Sequence, residues 1–247
     1  MDSKIRRIAV ISLGFGQSAT YLARTRRNKL SYCKARGYTC ILSARQLENL
    51  CSHELASHVH LIHPASWMKM PILSACLNFF ERVAWLDSDA LFLNLSPLDV
   101  AIGSCASSAF VISGNDCDPY PFTNGGFLYA SRDALVIIEA VLHASRSEQA
   151  RNHMWWEQQA INELISTNDT LARFICVTRH DLQMFPTATC MPRRNNNFIA
   201  HWAGGKDYPR VANEISLFQR GLNFTSIGAP ALTSSDDHDP LFPTKLN

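Results

Sequence analysis

No stretch of the 247 residues approaches the ~18 consecutive apolar positions that a membrane-spanning helix needs. The chain also lacks charge of one sign. Lys and Arg total 23 against 21 Asp and Glu, a formal net charge of +2, and the basic residues are scattered. That excludes the electrostatic footprint of a nucleic-acid binder. The single basic cluster, Arg24, Arg26, Arg27 and Lys29, reads as a solvated helix face. The 8 cysteines contain no Cys-x-x-Cys pair and are too dilute for a small disulfide scaffold, so they are expected to be mainly reduced and part-buried. No internal repeat is present. The opening segment has basic residues and then a short apolar run, but that run ends at Gly14 with no small-residue cleavage site behind it, so it reads as a first strand rather than a signal peptide. Sequons at Asn94, Asn168 and Asn223 arise easily by chance, and Pro97 weakens the first.

What is there is ample material for a core, 47% hydrophobic, in a chain long enough for one large α/β domain. Ile8 to Leu13 is a continuous apolar β-type run, Gly14 and Gly16 break it, and Ser18 to Arg36 carries helical spacing until Gly37 ends it. Tyr38 to Leu42 is a second predicted strand. Trp67 to Phe80 is a predicted helix with Pro71 in its early turns, and Arg82 to Leu86 a third strand. Alternating strands and helices imply a mostly parallel sheet covered on both faces, with ligands bound beyond the carboxyl ends of its strands.

The second half is less regular. Strands are expected at Phe110 to Ser113 and Gly126 to Tyr129 around a loop, with helices at Ser131 to Ala144, capped by Ser131, and at Trp156 to Ile165, and loops with little pattern after Phe174 to Thr178. Residues 1–220 read as one domain. Residues 221–247, rich in Pro, Ser and Asp, read as a loosely attached tail.

The strongest chemical signal is Val83 to Phe92, where Asp87 and Asp89 stand two positions apart in an apolar run. In an extended strand both would point to one side, with Ser88 opposite. Two like charges so close in an apolar setting require a proton or a cation between them, and a divalent metal is the simplest answer.

Six segments in order, SYCKARGY (Ser31–Tyr38), SWMKMPIL (Ser66–Leu73), AWLDSDALFLN (Ala84–Asn94), TNGGFLYAS (Thr123–Ser131), WWEQQA (Trp155–Ala160) and HWAGGK (His201–Lys206), carry a resemblance. The chain resembles nucleotide-sugar glycosyltransferases of the GT-A (Rossmann-like) fold. It is most similar to the galactosyl/mannosyl/xylosyltransferase family that decorates mannan, galactomannan and xyloglucan. Together the segments span about Ile8 to Tyr208.

The resemblance implies that Asp87, Asp89 and His201 hold a metal, with Asp89 the firmer ligand and Asp87 partly serving the donor ribose or a water. An imidazole beside carboxylates favours Mn2+ over Mg2+. Lys206 would reach a donor phosphate across the Gly204-Gly205 turn. Asn124, Gly125 and Gly126 would approach the donor sugar, although by themselves they also read as a turn between strands. Glu157 and Gln158 would act at the sugar. Glu157 stands where the family usually carries Asp, and its bland alternative is an acidic residue favoured by a helix N-terminus. Trp155 and Trp156 would stack on sugars or pack in the core.

The turn Leu13, Gly14 to Gln17 follows the first strand and would face the nucleobase and ribose, with Ser88 and Lys69 also on the donor side; for Lys69 a surface helix position is the competing reading. His58, His60 and His63 lack acidic or cysteine partners and read as a surface loop. The family's Pro-Gln strand finds no clean counterpart in Val177 to Ala188.

The expected activity is metal-dependent, retaining transfer of a hexose or pentose from a UDP- or GDP-linked donor to a hydroxyl of a glycan or other acceptor. Retention would proceed by front-face attack, or through a covalent intermediate on Glu157. A non-catalytic sugar-nucleotide or glycan-binding module is the alternative. A haloacid-dehalogenase-type phosphatase wants Thr or Val where Leu91 stands, and wants the motif near the N-terminus. Absence of a signal or anchor implies a cytoplasmic location, and the resemblance implies the Golgi lumen if an anchor has been removed.

Overall fold

The computed structural model describes residues 6–51, 64–115, 123–148, 150, 153, 156–179, 182–186, 197–203, 208–220 and 222. Strands β1 (Arg6–Ile11), β2 (Thr39–Ile41) and β3 (Phe80–Leu86) run parallel with β1 in the middle. Each is mainly a continuous apolar run, as strands buried on both faces must be. Helix α1 (Ala19–Arg36) links β1 to β2 and ends at Gly37, whose φ of 68° is the left-handed conformation that glycine adopts without strain. Helices α2 (Ala44–Cys51), α3 (Pro64–Trp67) and α4 (Lys69–Leu77) lie between β2 and β3, with Pro71 inside the first turn of α4.

After β3 the chain forms β4 (Ala90–Phe92), α5 (Leu98–Ile102), β5 (Phe110–Gly114) and β6 (Thr123–Ser131). Helix α6 (Leu135–Ala144) follows a short 3-10 turn at Arg132–Ala134. Ser131 does not cap α6 with its side chain; it ends β6, and its hydroxyl donates to the Ala109 carbonyl. Then come α7 (Trp156–Thr167), α8 (Asp169–Ala172), β7 (Ile175–Val177), β8 (Gln183–Met184), β9 (Ile199–His201) and α9 (Tyr208–Arg220).

The main sheet has the order β2-β1-β3-β6-β5-β7, and β6 alone runs against the other five strands, so the sheet is mostly parallel. Side chains alternate across it. Ala9, Ile11, Val83 and Trp85 face α4, α6 and α7, while Val10, Ala84, Leu86 and Tyr129 face Tyr32 of α1 and Leu98 and Ile102 of α5. A smaller sheet, β4-β9-β8, packs its Leu91, Met184 and Ala200 against Val211 and Ile215 of α9 and Tyr21 of α1.

Two expectations change. Cys105 and Cys176 form a disulfide that ties the segment before β5 to β7 at the sheet edge. Cys33, Cys40 and Cys76 stay outside any disulfide, and Cys117 and Cys190 lie outside the described residues. Lys29 is not on a solvated face: it is fully buried, whereas Arg24 and Arg27 are exposed. Of the expected tail only Leu222 is described, and it packs into the α9 cluster. Among the described residues no helix is long and apolar enough to cross a membrane.

Candidate active site

Asp87 leaves the main sheet directly after β3, and Asp89 directly precedes β4 of the small sheet. The three residues between the sheets are a tight turn, closed by the Ala90 N–H donating to the Asp87 carbonyl at 3.1 Å, and not the extended strand expected from the sequence. The turn brings the two carboxylates together where a straight strand would have spaced them along its length. The Asp87 N–H donates to the Gly126 carbonyl of β6, and the Trp202 N–H donates to the Asp89 carbonyl, so each end of the turn is anchored to a different sheet.

His201 ends β9 opposite Ala90 of β4, and that register sets its ring against the turn. Its Nε2 stands 3.3 Å from Asp89 Oδ1 and 3.7 Å from Asp87 Oδ2, and the three ligand atoms lie within 4.8 Å of one another. A six-coordinate divalent ion with ligand distances of about 2.0–2.6 Å places neighbouring ligand atoms roughly 3–3.7 Å apart. The donor set therefore fits such an ion in both chemistry and spacing. The other Asp87 oxygen is held more tightly: Oδ1 accepts from Trp85 Nε1 at 2.6 Å and pairs with Lys69 at 3.0 Å, while Oδ2, on the His201 side, has only a longer contact with Lys69 at 3.4 Å. Burial pushes the Asp89 carboxyl up, but the adjacent His201, a backbone hydrogen bond and Lys29 together outweigh it and hold Asp89 below the usual carboxylate range.

On its far side His201 Nδ1 lies 3.1 Å from Gln183 Oε1. With a metal bound, Nδ1–H donating to that amide would fix the tautomer that turns the Nε2 lone pair to the ion. Gln183 was not singled out from the sequence, yet it occupies β8 within the segment that showed no clean match. It is 1% exposed, and its Nε2 has no hydrogen-bond partner among the described residues.

The Asn124-Gly125-Gly126 segment is not a turn between strands. It lies inside β6 at an irregularity where the pairing with β5 jumps from Leu128 to Asn124 while β5 advances from Ile112 to Ser113. Asn124 Oδ1 accepts from the Gly126 N–H at 2.8 Å. Gly125 is clamped from both sides: its N–H donates to Gln158 Oε1 at 2.8 Å, and its carbonyl accepts from Lys69 Nζ at 3.0 Å.

Lys69 is thus no surface lysine. Buried at the start of α4, it also pairs with Glu157 Oε1 at 2.9 Å, so it joins Asp87, Glu157 and Gly125. Burial lowers its basicity, but Asp87 and Glu157 more than compensate and keep the ammonium charged. Glu157 is 3% exposed, and burial raises its carboxyl above its ordinary value while Lys69 works against the rise. Trp156, which opens α7 just before these residues, has φ of 41°, a conformation that costs a bulky side chain about 1–3 kcal/mol. That strain sits where the helix delivers Glu157 and Gln158.

Helix α1 meets the same turn from behind. Lys29 Nζ donates to the carbonyls of Asp87 (2.9 Å) and Ser88 (3.2 Å) and to the hydroxyls of Ser12 (2.7 Å) and Thr25 (2.9 Å). Burial pushes its ammonium down to about 7, with Asp89 and Asp87 opposing. Ser88 is itself buried, with its carbonyl turned toward α1. Leu13 is a core residue, and Gly14 is needed because a Cβ there would stand 2.6 Å from the Ala19 Cα. Gly204, Lys206, Trp155, His58, His60 and His63 lie outside the described residues.

Residues 9–99 match the model of the galactosyl transferase GMA12/MNN10 family. No curated protein matches the chain. Among solved structures, a glycosyltransferase involved in the glycosylation of the major capsid of PBCV-1 is 19% identical over 85% of this chain and 99% of that one, with a TM-score of 0.61. The galactosyltransferase LgtC, in complex with donor and acceptor sugar analogs, is 12% identical over 83% and 95%, with a TM-score of 0.47. The glycosyltransferase GlyE of Streptococcus pneumoniae TIGR4 is 14% identical over 88% and 64%, also at 0.47.

Proposed function

We propose that this chain, a glycosyltransferase of GT-A fold, moves a hexose or pentose from a nucleoside-diphosphate sugar to an acceptor hydroxyl with retained configuration, using a divalent metal. One observation carries the reading. Asp87, Asp89 and His201, brought from two sheets and 114 positions of sequence, turn three ligand atoms toward one point. The galactosyl transferase family match supports a hexose donor, and the resemblance of the six sequence segments carries its linkage to UDP or GDP and a glycan acceptor.

Asp87 Oδ2, Asp89 and His201 Nε2 would hold Mn2+, with Mg2+ as the alternative. When bound, the ion supplies neutralisation of the charge that grows on the departing diphosphate. By resemblance Gly125 and Gly126 lie on the donor-sugar side, although the space beside them is taken by Glu157 and His201, and Asn124 stands beside them as a hydroxyl partner. Gln158 holds Gly125 in place from beneath. Lys69 keeps the unused Asp87 oxygen and Glu157 neutralised in a buried setting. Gly204 and Lys206 remain assigned to the phosphates by resemblance, and Leu13 and Gly14 to the nucleoside side.

Burial of Glu157 under Gly125, with Oε1 paired to Lys69, supports front-face attack over a covalent intermediate on that residue. In the front-face route the acceptor oxygen bonds to the anomeric carbon as its bond to phosphate breaks. The acceptor proton passes to the leaving phosphate oxygen. The Cys105–Cys176 disulfide supports an oxidising lumen as the site of action. A panel of UDP- and GDP-sugars incubated with Mn2+ tests the function. Release of free nucleoside diphosphate from one donor, lost in Asp89→Ala, is the expected result, and equal release by that variant would refute it.

A further inference from the structure

We infer that Lys29, together with Thr25 and Asn28, is a positioning residue for the metal site: from helix α1 it fixes the main chain of the Asp87–Asp89 turn so that both carboxylates meet His201. The inference rests on the proposed metal reading and names what holds that site in shape.

Two consecutive peptide carbonyls, those of Asp87 and Ser88, point at one nitrogen, which restrains the backbone dihedrals between the two aspartates. The Thr25 hydroxyl donates to the Ser88 carbonyl at 2.7 Å while accepting from Lys29. Asn28, the neighbouring buried residue, closes a pair of bonds with the backbone of Phe92: its amide donates to the Phe92 carbonyl at 2.9 Å, and the Phe92 N–H donates to its Oδ1 at 2.8 Å. The turn itself and the far end of β4, which follows it, are therefore both gripped by one face of one helix. Ser12, at the end of β1, takes another Lys29 proton and ties the grip to the main sheet.

Stability alone explains this lysine poorly. All four oxygens around its nitrogen are neutral, and a buried cation without a carboxylate partner is costly. A methionine would fill the same space. What it could not do is present several N–H donors to two carbonyls and two hydroxyls at once. Nor does the charge serve to attract a metal ion, because two cations repel. If charge were the lysine's main influence on the site, its removal would tighten metal binding; loss of positioning weakens it.

The test measures Mn2+ affinity of the whole chain by calorimetry, alongside the thermal midpoint, for wild type, Lys29→Met, Thr25→Val and Asp89→Ala. Lys29→Met should weaken Mn2+ binding about 10–100-fold, the usual effect of removing a group that orients metal ligands, and Thr25→Val in the same direction by less. Should Lys29→Met not fold, Thr25→Val, which keeps size and neutrality, decides alone. Wild-type or tighter affinity in the folded variants, with or without a lowered midpoint, overturns the inference while Asp89→Ala still abolishes binding. Undiminished binding in Asp89→Ala removes the metal reading itself.

Discussion

Gly126 and the His201 imidazole are packed so closely that no side chain fits between them, since a Cβ on Gly126 would collide with Cε1 and Nδ1 of the ring. Glycine is needed here for close approach, not for a special backbone angle. Gly126→Ala should therefore push the ring away from the aspartates and reduce Mn2+ affinity at least about tenfold, on the scale of lost ligand orientation. Calorimetric titration of the folded variant checks this. Gly125→Ala, whose Cβ would stand 2.9 Å from Glu157 Oε1, should instead disturb the Lys69 pair.

The Lys69 bridge joins the buried Glu157 to the half-buried Asp87, and its removal leaves the two carboxylates to each other. Lys69→Met should destabilise the chain by about 3–5 kcal/mol, the usual result of unpairing a buried charge. Adding Glu157→Gln removes one of the stranded charges and should recover part of the loss. Urea unfolding of the single and double variants measures both.

Gln183 fixes the tautomer of His201 by accepting from Nδ1. Gln183→Leu keeps the volume but removes that acceptor, so Mn2+ affinity should fall about 10–100-fold. Global stability should change little by comparison, because the amide nitrogen has no partner among the described residues. Paired calorimetry and thermal unfolding separate the two effects.

The Cys105–Cys176 disulfide closes a long loop, with a sequence separation of 71. Replacing both residues with alanine should cost about 2–4 kcal/mol, seen as a lower urea midpoint than the oxidised wild type. Reductant should shift wild type the same way.

Much of this was legible in the sequence because it rests on runs and spacing. Strands β1 and β3 carry continuous apolar runs, residues 8–11 and 83–86, and Asp87 and Asp89 stand out directly after the second. His201 was legible only through its company, Gly204, Gly205 and Lys206, since a lone histidine has no period. Other features depend on pairing across the chain. Strands β8 and β9 have two and three residues, too few to show alternation, so Gln183 went unseen. The Cys105–Cys176 partnership has no local signature. Lys29 hid among its arginine neighbours, although Leu22, Thr25, Lys29 and Tyr32 share the helical spacing that marks the buried face of α1. A period count that admitted polar residues to the buried stripe would have found it.

The most direct measurement is pulsed electron paramagnetic resonance of Mn2+ bound to the full chain. One imidazole nitrogen coupled to the metal is expected in the wild type, and its loss in His201→Gln with the ion still held weakly by Asp87 and Asp89. A bound-Mn2+ spectrum with no nitrogen coupling, or one that His201→Gln leaves unchanged, would mean that the three side chains do not share an ion.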